Sequence, residues 1–171
     1  MNKIKGLYNL YTEVDSSNID PFNFIAPNGP WIGGSFALWH YIDNPTWQYN
    51  DIDYFVRTDD QAKELLKYFT SISIDKNEIF KNVFKFTCDD KIVQVNANPY
   101  ADVRLRLQHA DLSNTKIAHN GKQFIVDKMF LDSINKNQFM FTGNTFNIDR
   151  TNKRIDLYKD RGFSFNDKYL H

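Results

Sequence analysis

Two aspartates at alternate positions, Asp51 and Asp53, are the residues whose types and spacing are most suited to chemistry. They begin an apolar segment, 51–56, that has the composition of a β-strand. Alternate residues of a strand face the same side, so both carboxylates project together from Cα atoms roughly 6.5 Å apart, while Ile52 and Tyr54 face the packed side. Like charges so placed are unfavourable unless a cation lies between them, and proteins bind Mg²⁺ through one or two carboxylates plus substrate phosphates. The pair predicts a Mg²⁺ site; solvated aspartates at an exposed strand end are the alternative.

A turn formed by Gly33, Gly34 and Ser35 is the second feature. It ends an extended segment and opens a short helix that we expect to continue to Ile42. Glycine lets the backbone approach a ligand closely, and the free N–H groups of a first helical turn attract phosphate. Taken alone, Gly-Gly-Ser is also an ordinary turn. Because Ser35 stands 16 residues before Asp51 and a helix joins the two, the combination predicts a phosphate-binding bend beside the acids.

The order of these two motifs, over about residues 31–57, resembles the nucleotidyltransferase superfamily of the DNA polymerase beta type. That superfamily includes CCA-adding enzymes, poly(A) polymerases and the minimal nucleotidyltransferases. The resemblance implies a polymerase-beta-like core in which Gly33, Gly34 and Ser35 hold the triphosphate of an NTP, and Asp51 and Asp53 hold Mg²⁺. It further implies transfer of an NMP from the NTP to a hydroxyl acceptor, which is an RNA end, a protein or a small molecule.

The sequence departs from this superfamily at one position. Members that do chemistry usually carry a third carboxylate on a later strand, where it helps to activate the attacking hydroxyl. The strand best placed to supply it, 91–96, offers Gln94 and Asn96 on one face, and an amide cannot act as a general base. Asp111 substitutes as a catalytic acid if its segment runs alongside. Otherwise the chain is a catalytically degenerate relative that binds nucleotide, RNA or a host protein without turnover.

Arginines near the C-terminal end form a second candidate binding group. Arg154, Tyr158 and Arg161 recur at steps of four and three residues, which places them on one face of a helix. This face is either a basic strip for a triphosphate or an RNA backbone, with Arg154 and Arg161 as nucleotide-binding residues, or a solvated face tied by pairs to the helix's own aspartates. Arg104 and Arg106 alternate with leucines, which predicts amphipathic packing rather than recognition.

The elements that must position these residues change type along the chain. In order, we expect an irregular or weakly helical segment 1–22, a helix from Gly33-Gly34 to Ile42, a strand 51–56, a helix from Asp59 to Phe69, an extended piece 71–74 and a hairpin of 83–88 with 91–96. Segment 103–107 is a helix or a further strand, of which we prefer the helix. A hairpin of 116–119 with 122–126 and helices 127–134 and 149–161 follow. This order predicts an α+β fold with a mixed, partly antiparallel sheet flanked by helices. We expect one domain, 1–171, with a core at about 23–100 and a C-terminal hairpin and helices at about 101–171.

The composition of the chain argues against several other classes of protein. The 171 residues carry 21 Lys+Arg and 21 Asp+Glu, and this balance argues against a sequence-specific DNA binder, which needs a strongly basic face. A single cysteine, Cys88, excludes a disulfide framework. The chain has no apolar run of membrane-spanning length and no signal-peptide pattern, so a cytoplasmic protein is expected. Segments 120–126 and 154–163 resemble nucleotidyltransferase-like proteins encoded by large bacteriophages, which predicts a phage-encoded member.

Overall fold

The computed structural model describes residues 10–145 and 147–167. Its elements are β1 (Tyr11–Asp15), β2 (Trp31–Gly33), α1 (Gly34–Tyr41), β3 (Ile52–Val56), α2 (Asp59–Ile72), β4 (Asp75–Phe80), β5 (Val83–Cys88), β6 (Lys91–Pro99), α3 (Val103–Gln108), a 3₁₀ turn (Ser113–Thr115), β7 (Ile117–His119), β8 (Gln123–Asp127), α4 (Lys128–Lys136), β9 (Gln138–Met140), α5 (Ile148–Asp160) and β10 (Ser164–Asn166).

An eight-stranded sheet organises the molecule, in the order β1-β8-β7-β2-β3-β6-β5-β4. The central strands β3 and β6 pair in parallel, whereas all the other neighbours in this sheet pair antiparallel. A separate pair, β9 and β10, is parallel. The fold is therefore α+β, with a mostly antiparallel mixed sheet flanked by helices, as the order of the elements predicted.

The two faces of β3 contact different parts of the molecule. Ile52, Tyr54 and Val56 are buried in the larger core, where α2 packs its Leu65 and Phe69. A smaller apolar cluster on the opposite face includes Phe55 together with Val103 and Leu107 of α3. Since side chains alternate along a strand, Asp53 projects on the same face as Phe55. The prediction that Ile52 and Tyr54 face the packed side is confirmed.

Local signals explain the best predicted elements. The side chain of Thr58 caps α2 by accepting a hydrogen bond from the Gln61 N–H at 3.2 Å, and apolar residues then recur at helical spacing. Asn120 and Gly121 close the β7–β8 hairpin: the Asn120 side-chain oxygen accepts from two following backbone N–H groups, and Gly121 takes a positive φ of 92°. The helix and the hairpin predicted at these two positions are confirmed.

Two predictions of local structure are wrong, and one strand was not predicted. Part of the N-terminal segment expected to be irregular forms β1, because it pairs with β8 over five residues; residues 1–9 lie outside the described residues. The extended piece 71–74 is wrong in its first half, since α2 continues to Ile72. The sequence did not reveal β4, all six of whose side chains are exposed, because a strand without a buried face has no apolar alternation. No helix of the described part is both long and apolar enough to cross a membrane.

Candidate active site

The glycine bend and the acidic pair lie against each other. In the β2–β3 pairing Gly33 stands opposite Asp53. Gly34 has a φ of +66°, a conformation that favours glycine, and a Cβ at Gly34 would collide with the Asp53 carboxylate. A Cβ at Gly33 would lie only 2.7 Å from the Phe55 ring. Both glycines are therefore required for the close approach of α1 to the acid-bearing face of β3.

These groups open onto a cavity of about 710 Å³, a size typical of small-molecule sites, which range over roughly 300–1,000 Å³. Gly34, Ser35, Asp51 and Asp53 line it. The other walls come from β6, α3, the start of the β4–β5 turn and α5. In the described part of the chain no side chain caps the N-terminus of α1, and the first N–H groups of a helix have no partner within the helix. The arrangement thus places backbone donors and two carboxylates in one space.

The two carboxylates resist ionisation together. Burial, and after it the Asp51 carboxylate, hold the pKa of Asp53 well above its ordinary value. Burial likewise raises the pKa of Asp51, although Lys85 and three arginines of α5 partly lower it. The Oδ1 atom of Asp53 is buried and has no hydrogen-bond partner among the described residues. A cation between the carboxylates would supply that partner and offset the repulsion.

The donor set fits Mg²⁺ held jointly with a substrate. Within residues 10–145 and 147–167, no group of three or more histidine, cysteine, aspartate or glutamate side chains is arranged to hold a metal. Asp51 and Asp53 offer two carboxylates on one face of β3, and Mg²⁺ commonly takes one or two carboxylates together with substrate phosphates. The unpartnered oxygen of Asp53 is the structural observation that favours this fit.

β6, the strand that pairs with β3 in parallel, carries amide side chains at the place where a third carboxylate would help to activate the attacking hydroxyl. In the parallel β3–β6 pairing, Gln94 stands opposite Asp53 and Asn96 opposite Phe55. Both amides line the cavity. The sequence-based expectation that strand 91–96 lies beside the acids and presents these two side chains therefore agrees with the structure.

Asp111 reaches the same cavity but is already engaged. It lies between α3 and the 3₁₀ turn rather than on a strand beside β3. Its carboxylate accepts a hydrogen bond from the Thr151 hydroxyl at 2.8 Å and pairs with the Arg154 guanidinium. Burial is the largest influence and works to lower the pKa of Arg154, but Asp111, Tyr158 and Asp53 together outweigh it and raise that pKa above its ordinary value. In this arrangement Asp111 anchors an arginine of α5.

The face of α5 that carries Arg154, Tyr158 and Arg161 is turned toward the cavity. Arg154 pairs with Asp111 rather than with an aspartate of its own helix. The Arg161 guanidinium lies 4.4 Å from the centroid of the Trp47 ring and donates to the Gln48 carbonyl at 3.3 Å. Burial lowers the pKa of Arg161. Both arginines predicted to bind nucleotide therefore share the space of the acids and the glycine bend.

Two arginines that line the cavity were not predicted from the sequence to bind a ligand. Arg150, one turn before Arg154 on α5, stacks on Phe80 at 4.9 Å from its centroid. Arg106 lines the cavity with its guanidinium carbon 4.1 Å from the centroid of the Phe55 ring. The packing interpretation suits Arg104, which pairs with Glu13 at 2.6 Å, but Arg106 has a different setting. Residues two apart in a helix lie about 200° apart around its axis, so the two arginines face opposite sides of α3, but six residues are too few to show from the sequence which side faces the sheet.

The tryptophans near the glycine turn do not line the cavity. Trp31 is buried, and Trp39 donates its indole N–H to the Trp47 carbonyl at 2.8 Å. The aromatic rings that do line it are those of Phe55, Phe80, Tyr100 and Tyr158. A stacking partner for a base is therefore to be sought among these rings.

No family model and no curated protein matches the sequence. Solved structures are nevertheless similar in fold. A CCA-adding enzyme of Thermotoga maritima complexed with tRNA superposes with a TM-score of 0.57 at 13% identity, over 81% of this chain and 35% of that one. A CCA-adding enzyme complexed with ATP gives a TM-score of 0.55 at 13% identity, over 92% and 43%. The chain thus has a nucleotidyltransferase-like fold and spans less than half the length of those enzymes.

Proposed function

We propose that this protein is a Mg²⁺-dependent nucleotidyltransferase that moves an NMP from an NTP to an acceptor. The observation that carries the proposal is the close approach of the Gly33-Gly34 bend to Asp53, with Gly34, Asp51 and Asp53 lining one cavity and a buried oxygen of Asp53 without a partner among the described residues. A triphosphate with its metal ion is a ligand that satisfies both the free helix N-terminus and the acids.

In this proposal each wall of the cavity binds a different part of the nucleotide. The N–H groups at the start of α1 and the Ser35 hydroxyl donate to phosphate oxygens, and Arg154 and Arg161 approach the same oxygens from α5. Asp51 and Asp53 hold Mg²⁺. The Asp111 carboxylate keeps the Arg154 side chain in place through their ion pair.

The proposed reaction is an in-line displacement at the α-phosphorus. The oxygen of the acceptor hydroxyl forms the new P–O bond and its proton passes to solvent water, while the bond to the β-phosphate oxygen breaks and pyrophosphate leaves. A bound Mg²⁺ neutralises charge that develops on the phosphate oxygens. The arginines of α5 add donors aimed at the same charge, in a cavity where water does not compete fully.

The acceptor is an RNA end, a protein or a small molecule. The CCA-adding enzymes with this fold were solved with tRNA and with ATP, which supports an NTP as donor and RNA as one acceptor to test. We further propose a cytoplasmic, phage-encoded protein with no sequence preference for DNA, in keeping with its balanced charge.

A second candidate function is nucleotide binding without turnover. Gln94 stands opposite Asp53 where an acid would activate the acceptor, and Asp111 is tied to Arg154 and Thr151. Neither group is free to accept the proton of an incoming hydroxyl. The cavity could then hold a nucleotide, or the end of an RNA, as a ligand only.

Labelled NTP separates the two functions. The wild-type protein is incubated with α-phosphate-labelled NTP, Mg²⁺ and total RNA, and label in the acceptor is measured beside nucleotide-dependent thermal stabilisation. Asp51→Asn and Asp53→Asn are expected to abolish incorporation while the proteins stay folded, and Asp132→Asn, an exposed change on α4, is the matched control. Full incorporation by both cavity variants contradicts the proposed transfer. Stabilisation by nucleotide without incorporation supports the binding function.

A further inference from the structure

Arg106 is a cation of the cavity that contacts no carboxylate among the described residues, although Asp53 and Asp111 act on it from a longer distance. Its guanidinium contacts the rings of Phe55 and Tyr100, at 4.1 and 5.8 Å from the centroids. Among residues 10–145 and 147–167 it forms no ion pair or side-chain hydrogen bond, and its Nε is buried without a partner. The neighbouring arginines differ, because Arg104 pairs with Glu13 and Arg154 with Asp111.

A guanidinium without a charged or hydrogen-bonding partner lowers the stability of the ligand-free protein. It carries five N–H donors and no acceptor; the residue as a whole is half-buried, but its Nε is buried with no partner among the described residues and so loses its hydration without compensation. Burial accordingly lowers the pKa of Arg106. Phe55 covers one face of the planar group, which leaves its N–H edges as the part that can bind. An anion at those edges would supply the missing partner.

The position of Arg106 separates it from the proposed triphosphate site. Asp51, Asp53 and Phe55 lie in a row on one face of β3, so Phe55 is roughly 6.5 Å beyond Asp53 on the side away from Asp51. The chain leaves β2 in the opposite direction, because β2 runs antiparallel to β3. The start of α1 therefore lies toward the Asp51 end of the row, and Arg106 lies toward the other end. Arg161 acts on Asp51, whereas Arg154 acts on Asp51, Asp53 and Arg106 alike.

A second donor stands beside Arg106. Asn96 pairs with Phe55 across the β3–β6 ladder and lines the cavity. Its side-chain oxygen accepts from the Asn98 backbone N–H at 3.1 Å and from the Asn98 side chain at 2.9 Å. These bonds fix the amide orientation, since a backbone N–H requires an oxygen acceptor. The Asn96 Nδ2 then remains as a donor on the same wall.

We infer that Arg106 and Asn96 form a second anion subsite, which binds a phosphate group other than those of the nucleotide. A phosphate matches the planar fork of a guanidinium with two parallel N–H···O bonds, and an amide N–H can complete the contact. That this phosphate belongs to the acceptor rests on the proposed function. The subsite itself does not, because it follows from the unpaired guanidinium.

Calorimetric titration of the full chain tests the subsite. The probes are inorganic phosphate, ribose 5-phosphate, unphosphorylated ribose and a dinucleotide with one phosphodiester, each with and without Mg²⁺ and a non-hydrolysable NTP analogue. Arg106→Gln is expected to weaken binding of the phosphate-bearing probes by at least about tenfold, with the NTP analogue changed by less than about threefold. Arg106→Lys is expected to be intermediate, and Arg57→Gln, an exposed arginine outside this cavity, to match the wild type.

Several outcomes overturn the inference. Ribose that binds as well as ribose 5-phosphate, or an Arg106→Gln protein that binds phosphate like the wild type, removes the subsite. An equal loss of affinity for the NTP analogue assigns Arg106 to the triphosphate. A lower melting temperature of Arg106→Gln with unchanged phosphate binding shows a packing role on Phe55, whereas the inference expects an unchanged or higher melting temperature once the unpaired charge is gone.

The same data separate this inference from the proposed function. If phosphate binding depends on Arg106 but neither Mg²⁺ nor nucleotide binds, the subsite stands and the nucleotidyltransferase proposal fails. If nucleotide binds and phosphate does not, the subsite alone fails. Tighter binding of ribose 5-phosphate than of the dinucleotide supports the subsite with a phosphate monoester as its ligand, and the reverse order supports it with a nucleic-acid backbone.

Discussion

The Asp53→Asn substitution is expected to stabilise the ligand-free protein and to remove its response to Mg²⁺. Asparagine has nearly the same shape as aspartate, and the Oδ1 atom of Asp53 has no hydrogen-bond partner among the described residues. The change therefore deletes a charge and little else. It also leaves the close packing of Gly34 against this side chain in place.

The magnitude follows from the strand geometry. Two unit charges roughly 6.5 Å apart repel by about 2.5 kcal/mol at an effective dielectric constant of about 20. Three cavity arginines, at positions 106, 150 and 154, offset part of the cost of ionising Asp53. A net gain of about 1–2 kcal/mol in the free energy of unfolding is therefore expected, which corresponds to roughly 2–8 °C in melting temperature for a domain of this size.

Thermal unfolding of the wild type, Asp53→Asn and Asp132→Asn, each with and without Mg²⁺ and NTP, measures both effects. The wild type and the exposed Asp132→Asn control are expected to gain stability from Mg²⁺ with NTP, and Asp53→Asn is not. A lower melting temperature for ligand-free Asp53→Asn would refute the argument that repulsion dominates at this pair. An equal Mg²⁺ response in all three proteins would refute the role of Asp53 as a ligand.

The remaining predictions concern the same cavity. The pKa of Asp53 is raised in the folded state, so protonation of this carboxyl favours folding: the contribution to stability is present at low pH and is lost as pH rises through that pKa. When unfolding is measured at a series of pH values from about 8 down to about 5, the ligand-free protein should become more stable and the stabilisation by Mg²⁺ should become smaller. Gly34→Ala should lose at least about 1–2 kcal/mol in urea unfolding, from its positive φ and the contact with Asp53, and calorimetry should detect no Mg²⁺-NTP binding. Gln94→Glu should lower the melting temperature without Mg²⁺ and raise Mg²⁺ affinity in titration, since it places a third carboxylate opposite Asp53; an unchanged affinity would contradict that placement. Asp111→Ala should cost about 3 kcal/mol in urea unfolding by leaving Arg154 unpaired, with Asp111→Asn intermediate, and equal stability of both variants with the wild type would show that the pair contributes nothing.

Elements with local signals could be predicted from the sequence. α2 has a capping threonine, Thr58, and a buried stripe, and the β7–β8 hairpin has Asn120-Gly121. Local spacing also shows that Asp51 and Asp53 lie on one face of a strand and that this strand follows a glycine bend. The convergence of the bend on Asp53 required only that β2 and β3 be neighbours.

Elements and contacts that depend on distant partners could not be predicted. β1 becomes a strand because β8 lies beside it, and β4 has no buried side chain to mark it. Asp111 was expected in the site as an acid, but its carboxylate meets Arg154 from a helix 43 residues later. The setting of Arg106 depends on which side of α3 rests on the sheet, and a six-residue helix is too short for its periodicity to decide this.

The uncapped start of α1 links the folding of that helix to its ligand. Gly33 occupies the cap position and offers no side-chain acceptor, so a bound phosphate would be a suitable acceptor for the first N–H groups of α1. A phosphate there takes the place that serine or aspartate fills in other helices, where a cap contributes about 1 kcal/mol. The substrate would then complete a piece of secondary structure, and amide hydrogen exchange in the first turn of α1 should slow when it binds.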